Sequence, residues 1–351
     1  MRVLVDIVHP ADVLFFKRPL DILESRDVEI LILSRRKDVT CALLDEFEFA
    51  HEPVSTAGRG TIGLAAELLC RDLAVIRAAR RFRPDVMIGF GGVAISHAGR
   101  FLGIPSISFY DSENATLQTR ITWPFIDHLY VPDAYKGPTP AGRTTRLPGT
   151  KELSYLHPTA FTADRAVAIQ NGLDPAVDNF FLRVVGWQAN HDLGKSGWSG
   201  KTLRSVVAHL SRRGRVHVSS EVPLPEDVAS LRYSGSVTDV HHLMANCRLI
   251  VGESATMASE AAILGVPAIY CGRDFPGYVQ ELETAGLVYN LPADRIIELL
   301  DLVDRALATP PAATRAARDR YVALRPDWAL AVIEAIDRSI AAKKSAATMN
   351  V

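Results

Sequence analysis

The chain carries the same strand, loop, helix and strand pattern twice. Residues 86–108 read Val-Met-Ile-Gly, a loop of small residues, a helical stretch and Leu-Gly-Ile-Pro-Ser-Ile; residues 249–269 read Leu-Ile-Val-Gly, a polar loop, a helical stretch and Leu-Gly-Val-Pro-Ala-Ile. The two copies differ by one residue in loop length. Glycine readily ends a helix, and a following proline prevents its continuation. The repeat therefore predicts two similar α/β domains in tandem.

Short β-branched runs alternate with longer amphipathic stretches along both halves, which is typical of parallel sheets covered by helices. The apolar runs begin near residues 3, 28, 84, 105 and 128, and again near 181, 215, 249 and 267. A length of 351 residues corresponds to about two domains. We place the first domain at residues 1–160 and the second at 161–325, and expect residues 326–351 to form a C-terminal helix with a frayed tail.

Composition argues against several classes of protein. With 39 basic and 40 acidic residues the formal charge is −1, which argues against a nucleic-acid-binding protein that relies on a basic face. The four cysteines are scattered, so we expect reduced thiols and neither a disulfide framework nor a zinc site. The opening residues do not read as a signal peptide because Asp6 interrupts the apolar run, and no 18 consecutive residues are apolar. We therefore predict a cytoplasmic protein.

The strongest local signal is the segment from Gly252 to Glu260, which follows an apolar strand and opens a helix. Ser254 is placed to cap that helix, and the amide groups and dipole at a helix amino end suit a diphosphate. Glu260 lies one turn beyond Thr256 and could accept hydrogen bonds from a ribose. The alternative is a capped helix with a merely solvated Glu260. Against it, the first repeat has Ala98 near this position, as expected if only one copy binds a nucleotide.

Residues 89–94 read Gly-Phe-Gly-Gly-Val-Ala and precede Asp111 by about 20 residues, which formally satisfies a dinucleotide fingerprint. That fingerprint belongs to the first strand–helix turn, whereas this one follows a later strand. An NAD-dependent oxidoreductase therefore stays a minor alternative. We expect Gly91 and Gly92 to allow close approach of a ligand or of the other domain.

Two strand ends carry candidate catalytic groups. His9 follows the first strand and could take a proton from an acceptor hydroxyl, with Asp12 orienting it or contacting the acceptor. The alternative is a histidine that caps the next helix. Asp111 and Glu113 follow another strand and suit base catalysis or binding of hydroxyl groups, the alternative being ordinary polar turn chemistry.

The glycine-rich loop at 186–197 follows the first strand of the second half and holds His191 and Lys195. Lys195 could neutralise a leaving diphosphate, although the loop lacks the Walker spacing and a solvated loop is the alternative. His241 and His242 are expected to pack or cap, and we predict no metal site. The basic stretch at 71–83 most simply forms a solvated helix face, with contact to a membrane surface as an alternative.

Several blocks resemble one known family. Residues 5–17 are similar to the pattern D-I-x-H-P-A-H-V-x-F-F-K that opens an uncharacterised prokaryotic family, grouped with glycosyltransferase-B enzymes and UDP-N-acetylglucosamine 2-epimerases. Residues 84–92, 149–158 and 252–267 resemble further blocks of that family. The chain departs from the pattern at Asp12, where the family usually has a second histidine.

The resemblance implies a glycosyltransferase-B fold, in which two Rossmann-like domains face each other across a cleft and the C-terminal helix crosses back to the first domain. It implies a nucleotide-sugar site on the second domain and an acceptor side on the first, with His9, Gly91 and Asp111 lining the cleft; we also assign Asp12 and Gly92 to that side. The diphosphate would bind at residues 254–257, the ribose at Glu260 and the base near residues 235–237. The predicted nucleotide-sugar residues are Lys195, Gly235, Val237, Gly252, Ser254, Ala255, Thr256, Met257 and Glu260.

We therefore predict a metal-independent glycosyltransferase without a cofactor, which moves a sugar from a nucleoside-diphosphate sugar, with UDP favoured, to a hydroxyl acceptor in glycan or glycoconjugate biosynthesis. The predicted catalytic residues are His9, Asp111, Glu113 and His191. The alternative is a UDP-sugar 2-epimerase, because the last three lie roughly where those enzymes have acids and a histidine. The epimerases' H-R-x-E-N block is absent, however. Non-catalytic nucleotide-sugar binding is a further alternative. The acceptor, peripheral membrane contact and oligomeric state stay open.

Overall fold

The computed structural model describes residues 1–37, 39–58, 60–186 and 198–349. The chain divides into two compact units. The first unit consists of Met1–Tyr155 together with Pro326–Val351, and the second of Leu156–Arg325. The first unit is therefore built from two separate stretches of the chain, and the whole second unit lies between them in sequence.

The first unit contains a seven-stranded parallel sheet in the order β3-β2-β1-β4-β5-β6-β7. Its elements are β1 (Arg2–Ile7), α1 (Pro10–Glu24), β2 (Glu29–Arg36), α2 (Thr40–Glu46), β3 (His51–Thr56), α3 (Gly60–Phe82), β4 (Val86–Phe90), α4 (Val93–Leu102), β5 (Ser106–Phe109), α5 (Thr116–Thr122), β6 (His128–Pro132), β7 (Thr144–Leu147), a 3-10 turn at Lys151–Ser154 and, after the second unit, a C-terminal helix at Trp328–Met349.

The second unit contains a five-stranded parallel sheet in the order β12-β11-β10-β8-β9. Its elements are α6 (Arg165–Gln170), β8 (Asp178–Val184), α7 (Gly200–Ser211), β9 (Gly214–Ser220), a 3-10 turn at Glu226–Leu231, α8 (Val240–Met244), β10 (Leu249–Gly252), α9 (Ala255–Leu264), β11 (Ala268–Gly272), α10 (Gly277–Thr284), β12 (Val288–Pro292), a 3-10 turn at Ala293–Glu298, α11 (Leu299–Ala308) and α12 (Pro311–Ala323). The C-terminal helix is accordingly α13.

Both sheets reverse their strand order at one place. In the first sheet β1 lies between β2 and β4, and in the second β8 lies between β9 and β10. Such a switch leaves a crevice at the carboxyl ends of the two diverging strands, where open α/β sheets bind their ligands. The predicted class, two doubly wound α/β domains, is confirmed.

The internal repeat is also visible in the structure. Helices α4 and α9 are both ten residues long and both end at a glycine in the left-handed region, Gly103 at φ +68° and Gly265 at φ +78°. The strand before each helix borders the first strand of its sheet, because β4 pairs with β1 and β10 pairs with β8. The two copies therefore occupy equivalent places in the two sheets.

Each unit has its own apolar core. In the first, the ring of Phe15 lies 5.3 Å from that of Phe109 and 6.4 Å from that of Trp328. Trp328 is buried and its indole Nε1–H donates to the Pro148 carbonyl at 3.0 Å, which joins α13 to this unit. In the second, buried side chains of β8 and β10 pack with α7 and α11.

The structure adds three strands that the sequence pattern did not predict. All three, β3, β7 and β12, lie at an edge of their sheet. Edge strands need not be apolar on both faces, and β3 reads His-Glu-Pro-Val-Ser-Thr. Helix α13 runs to Met349, so it includes most of the tail that was expected to be frayed. No helix in the described part of the chain combines the length and apolar character needed to cross a membrane.

Candidate functional site

The amino end of α9 lies directly after β10, at the carboxyl edge of the second sheet. Ser254 caps this helix, since its hydroxyl accepts a hydrogen bond from the Met257 amide at 3.2 Å, and the predicted cap is confirmed. Ser254, Ala255, Thr256 and Met257 are only half-buried. The helix therefore presents its first turn, with the positive end of its dipole, at an accessible position.

Glu260 lies further along α9 and is buried rather than solvated. Its side chain is 5% exposed, and its Oε1 lies 3.1 Å from Nε2 of the equally buried His241. His241 belongs to the short helix α8, which packs against α9. The interpretation of Glu260 as a merely solvated residue is wrong, because a buried acid of this kind needs a partner and His241 supplies one.

Besides the pair of His241 with Glu260, the two neighbouring histidines pack on an aromatic ring, and His242 also accepts a backbone amide, as predicted. His241 has the Phe161 ring 6.2 Å away. His242 accepts the Asp164 backbone amide at 2.9 Å and lies 4.8 Å from the same phenylalanine ring. Across the described residues, no three side chains among His, Cys, Asp and Glu are arranged to hold a metal ion.

Glu253 is a buried acid that the sequence analysis did not identify. Its carboxylate accepts the backbone amide of Val185 at 3.1 Å and that of Trp198 at 2.8 Å. Glu253 thus holds the backbone at Val185 and at Trp198 close to the start of α9. His191 and Lys195, two of the predicted site residues, lie outside the described residues.

The remaining candidates in the second unit have structural explanations. A Cβ on Gly252 would lie 2.4 Å from the Arg183 carbonyl oxygen, so the close approach of β8 requires this glycine. A Cβ on Gly235 would lie 2.5 Å from the Tyr233 hydroxyl, which donates to the Ser236 carbonyl at 2.7 Å. Val237 is 46% exposed in the same loop. The loop is held in place by these contacts, and whether it binds a base stays a prediction.

In the first unit, His9 caps α1, which was the alternative to its catalytic role. Its Nδ1 accepts the Ala11 amide at 3.2 Å and the residue is exposed. Asp12 completes the cap: its Oδ2 accepts the backbone amides of Val8 at 3.1 Å and His9 at 3.0 Å. Asp12 therefore holds the backbone at the end of β1.

Next to Asp12 is a buried lysine that the sequence analysis quoted only as part of a family block. The Lys151 Nζ lies 2.6 Å from Oδ2 of Asp111 and 3.9 Å from Oε1 of Glu152, and 5.4 Å from the centre of the Phe90 ring. All four ionisable side chains, which we call the Lys151 cluster (Asp12, Asp111, Lys151 and Glu152), are buried. Asp12 lies in the first turn of α1 after β1, Asp111 follows β5, and Lys151 and Glu152 lie in the 3-10 turn after β7. All four are at the carboxyl edge of the sheet.

Burial dominates the acid–base behaviour of the Lys151 cluster. It raises the pKa of Asp12 to about 7, although the Val8 and His9 amides and the Lys151 charge oppose that rise. Burial alone would lower the pKa of Lys151, but Asp111 and Glu152 outweigh it and raise that pKa. Near neutral pH Lys151 is therefore charged, whereas Asp12 is protonated in only part of the molecules.

Glu113 and the glycines of the first repeat lie nearby. Glu113 accepts the Lys136 backbone amide at 2.8 Å, which secures the turn after β5. Gly91 and Gly92 have φ values of +77° and +60°, and a Cβ on Gly91 would lie 2.3 Å from Nε2 of Gln118. The backbone thus explains both glycines, and β4 is not the first strand of its sheet, which weakens the dinucleotide interpretation further.

Two other features contain none of the predicted site residues. A cavity of about 680 Å³ opens at the start of β9, on the amino side of the second sheet, and none of the predicted site residues lines it. On α3, the basic stretch is not simply a solvated face, because Arg71 is buried and pairs with the buried Asp6.

The first part of the chain matches one family model. Residues 1–153 match the family described as "Protein of unknown function (DUF354)". The predicted resemblance to an uncharacterised family is thus confirmed. An uncharacterised protein of Methanocaldococcus jannaschii is 22% identical, with 86% of this chain and 89% of that protein covered.

Solved structures with this fold include enzymes of two kinds. A provisionally assigned UDP-N-acetylglucosamine 2-epimerase from Listeria monocytogenes matches with a TM-score of 0.67 at 13% identity, covering 96% of this chain and 95% of that one. Spinosyn rhamnosyltransferase complexed with thymidine diphosphate matches at 0.65 and 15%, covering 96% and 100%. The UDP-GlcNAc 2-epimerase from Neisseria meningitidis bound to UDP-GlcNAc matches at 0.59 and 13%, covering 92% and 98%. The fold is the glycosyltransferase-B fold, as predicted.

Proposed function

We propose that this chain transfers a sugar from a nucleoside-diphosphate sugar, with UDP as the favoured nucleotide, to an acceptor hydroxyl. The observation that carries the proposal is the amino end of α9, which lies at the switch of the second sheet with the buried Glu260 one turn deeper. Two of the solved structures with this fold contain such a ligand, thymidine diphosphate in one and UDP-GlcNAc in the other, and they support a nucleoside-diphosphate ligand here.

The chemistry of this edge suits the leaving half of such a donor. Amide groups of the first turn of α9 and the Thr256 hydroxyl would donate to the diphosphate, whose negative charge grows as the sugar departs. Glu260 begins about 6 Å further along the helix, at 1.5 Å per residue, a distance suited to the ribose hydroxyls. His241 would keep the carboxylate oriented while it accepts those hydrogen bonds.

Nucleotide-dependent thermal stabilisation tests the donor site. We expect millimolar UDP to raise the melting temperature of the wild-type chain by about 5 °C, because a ligand at about 100 times its Kd adds about 2.7 kcal/mol. Glu260→Gln keeps the size of the side chain and should remove most of that shift. Glu281→Gln alters an acid of the same unit that lies on α10 and pairs with Arg325, and should leave the shift intact.

If neither UDP nor thymidine diphosphate shifts the melting temperature of the wild-type chain, the donor proposal is wrong. If Glu260→Gln and Glu281→Gln lose the UDP-induced shift equally, the loss is not specific to Glu260. The placement of the nucleotide at α9 would then be wrong.

Incubation of the donor in deuterated water separates transfer from epimerisation. An epimerase removes the proton at C2 of the sugar, so deuterium would appear at C2 together with the epimer. A transferase should leave C2 unlabelled and release UDP when an acceptor is added. C2 labelling would therefore replace the proposal with the 2-epimerase alternative.

A further inference from the structure

The Lys151 cluster carries more negative charge than its lysine can balance. With every group ionised, three carboxylates and one ammonium give a net charge of −2 among side chains that are at most 7% exposed. Unbalanced charge of this kind is costly in a buried place, so the cluster favours holding at least one proton. The question is which acid holds it.

Asp111 and Asp12 lie in different environments. Asp111 makes a direct ion pair with Lys151 at 2.6 Å and accepts the Ser112 hydroxyl at 3.1 Å. Among the described residues Asp12 makes no such short ion pair: it accepts two backbone amides, and Lys151 acts on it through its charge. Of these two acids, Asp12 therefore has the environment of a group that exchanges a proton.

The position of Asp12 fits a reacting group. It stands in the first turn of α1, immediately beyond β1, at the switch of the first sheet where ligands of such folds bind. Both hydrogen bonds go to its Oδ2, so the carboxylate has a fixed direction before any ligand arrives. His9, the residue predicted for this role, uses its ring Nδ1 to cap the same helix.

We propose that the Asp12 carboxylate is the catalytic residue that accepts the proton of the acceptor hydroxyl, and that Lys151 tunes Asp12 through its charge. This inference rests on the proposed transferase function. In the step, the hydroxyl oxygen forms a bond to C1 of the sugar. The bond from C1 to the diphosphate breaks and leaves its electron pair on the diphosphate. The hydroxyl proton passes to Asp12, which later releases it to solvent.

Lys151 has a distinct role in this scheme as a positioning residue. Its ammonium favours the ionised form of Asp12, because an opposite charge nearby stabilises a carboxylate. The charges of Lys151 on the 3-10 turn and of Asp6 on β1 act on Asp12, and Asp6 is itself paired with Arg71 of α3. Lys151 in turn pairs with Asp111 after β5 and lies 3.9 Å from Glu152. Helix α13, which packs on α1, pairs its Asp327 and Asp337 with Arg18 and Arg26.

A titration that needs no substrate tests whether Lys151 controls the protonation of Asp12. The full chain, with aspartate labelled at the carboxyl carbon with carbon-13, is followed by NMR from pH 5 to 9. We expect one aspartate signal to titrate near pH 7, to be absent in Asp12→Asn, and to titrate at least one pH unit higher in Lys151→Met. Lys151→Arg keeps the charge and should leave the titration near its original pH. Titration of Asp12 below pH 5, or no shift in Lys151→Met, overturns the proposal.

Turnover measurements test whether Asp12 accepts the proton of the acceptor hydroxyl. UDP release is measured from the UDP-sugar that binds best, with water and simple sugars as acceptors. Asp12→Asn should lower kcat about 100- to 10,000-fold, the usual contribution of a general base, while UDP binding changes less than threefold. Lys151→Met should lower kcat about tenfold at pH 7, and kcat should recover towards pH 9. Removal of a lysine with a purely structural role would not give this recovery. Asp21→Asn, on the exposed part of α1, is the matched control and should behave as wild type.

The possible failures point to different conclusions. Normal UDP binding with full turnover in Asp12→Asn overturns the role of Asp12 and leaves the transferase function standing. A wild-type chain that binds no nucleotide overturns the proposed function, and the acceptor chemistry with it. A donor that binds but stays intact with every acceptor overturns both the transferase and its base.

Discussion

Helices α4 and α9 share one backbone arrangement but carry different side chains at two equivalent positions. Both follow a strand at the switch of their sheet, both span ten residues and both end at a left-handed glycine. The amino end of α4 begins at Gly92 without a side-chain cap, and its Ala98 is fully buried. At the same two positions α9 has the capping Ser254 and the buried Glu260. The two copies therefore share their backbone, and one or two side chains decide whether the first turns of the helix carry polar groups.

The first unit instead obtains its polar groups from outside the repeat. Asp12 comes from α1, and Lys151 comes from the turn after β7. Charged groups thus meet at the carboxyl edge of both sheets, although different elements supply them. Under the proposed function the two edges would have separate chemical tasks, with proton exchange on the first and anion binding on the second.

The largest effect should come from placing the acid of the second repeat into the first. In Ala98→Glu the carboxylate would enter a core of Leu4, Val75 and Ala79. Unlike Glu260 it has no buried histidine to meet it, so we expect a loss of about 4 kcal/mol or more in the free energy of unfolding. Urea unfolding followed by tryptophan fluorescence measures it, with Ala98→Ser as control. A stable Ala98→Glu would show that the two copies are interchangeable.

The next effect concerns the pH dependence of the first unit. The folded pKa of Asp12, about 7, lies above the ordinary value of 3.8, so the folded state binds the proton more tightly and stability falls as pH rises towards 7. Between pH 5 and 8 the wild-type chain should lose about 2 kcal/mol relative to Asp12→Asn. Denaturant unfolding at several pH values checks this. A difference independent of pH would contradict the proposed environment of Asp12.

In the second unit the pH dependence should have the opposite sign. Burial lowers the pKa of His217 to about 4, and its Nε2 donates to Oδ1 of Asn179 at 3.0 Å. The unfolded state then binds the proton more tightly between pH 4 and 6.5, so stability should rise with pH through that window. His217→Gln keeps a donor for Asn179 and should flatten the rise. A wild-type chain that gains nothing relative to this variant between pH 4.5 and 6.5 would refute the assignment.

The smallest effects should come from the two helix caps. Ser254→Ala removes the bond to Met257 and should cost about 1 kcal/mol, whereas Ser254→Gly should cost only a few tenths. Introducing the same cap into the first repeat, as Gly92→Ser, should not stabilise α4, because Gly92 has φ +60° and a side chain there is strained by about 1 kcal/mol. Thermal unfolding of the three variants compares them. Stabilisation by Gly92→Ser would mean that the two caps differ less than their backbones indicate.

Much of the fold could be predicted from the sequence because its signals are local. The glycine and proline after each repeated helix, the apolar central strands and the cap at Ser254 depend on residues close together in the chain. The strands that were missed lie at sheet edges, where one side of the strand has no neighbour and the apolar pattern fades.

The candidate sites were less predictable because their contacts join distant residues. Lys151 meets Asp111, 40 positions earlier, only because the strand order brings their loops to one edge. Glu260 and His241 meet through the packing of α8 on α9, and Glu253 looks like an ordinary loop acid until its two backbone donors are seen. A family block containing Lys151 was the single signal in the sequence that pointed towards it.

The buried Trp328 has a consequence for how the molecule is made. A ribosome delivers residues 1–155 first, yet the core around Phe15 stays open until Trp328 and the rest of α13 emerge. By then the whole second unit has been synthesised and has a complete core of its own. The unit that begins the chain is thus the last to be finished during synthesis, and until then the apolar face awaiting α13 is a target for chaperones.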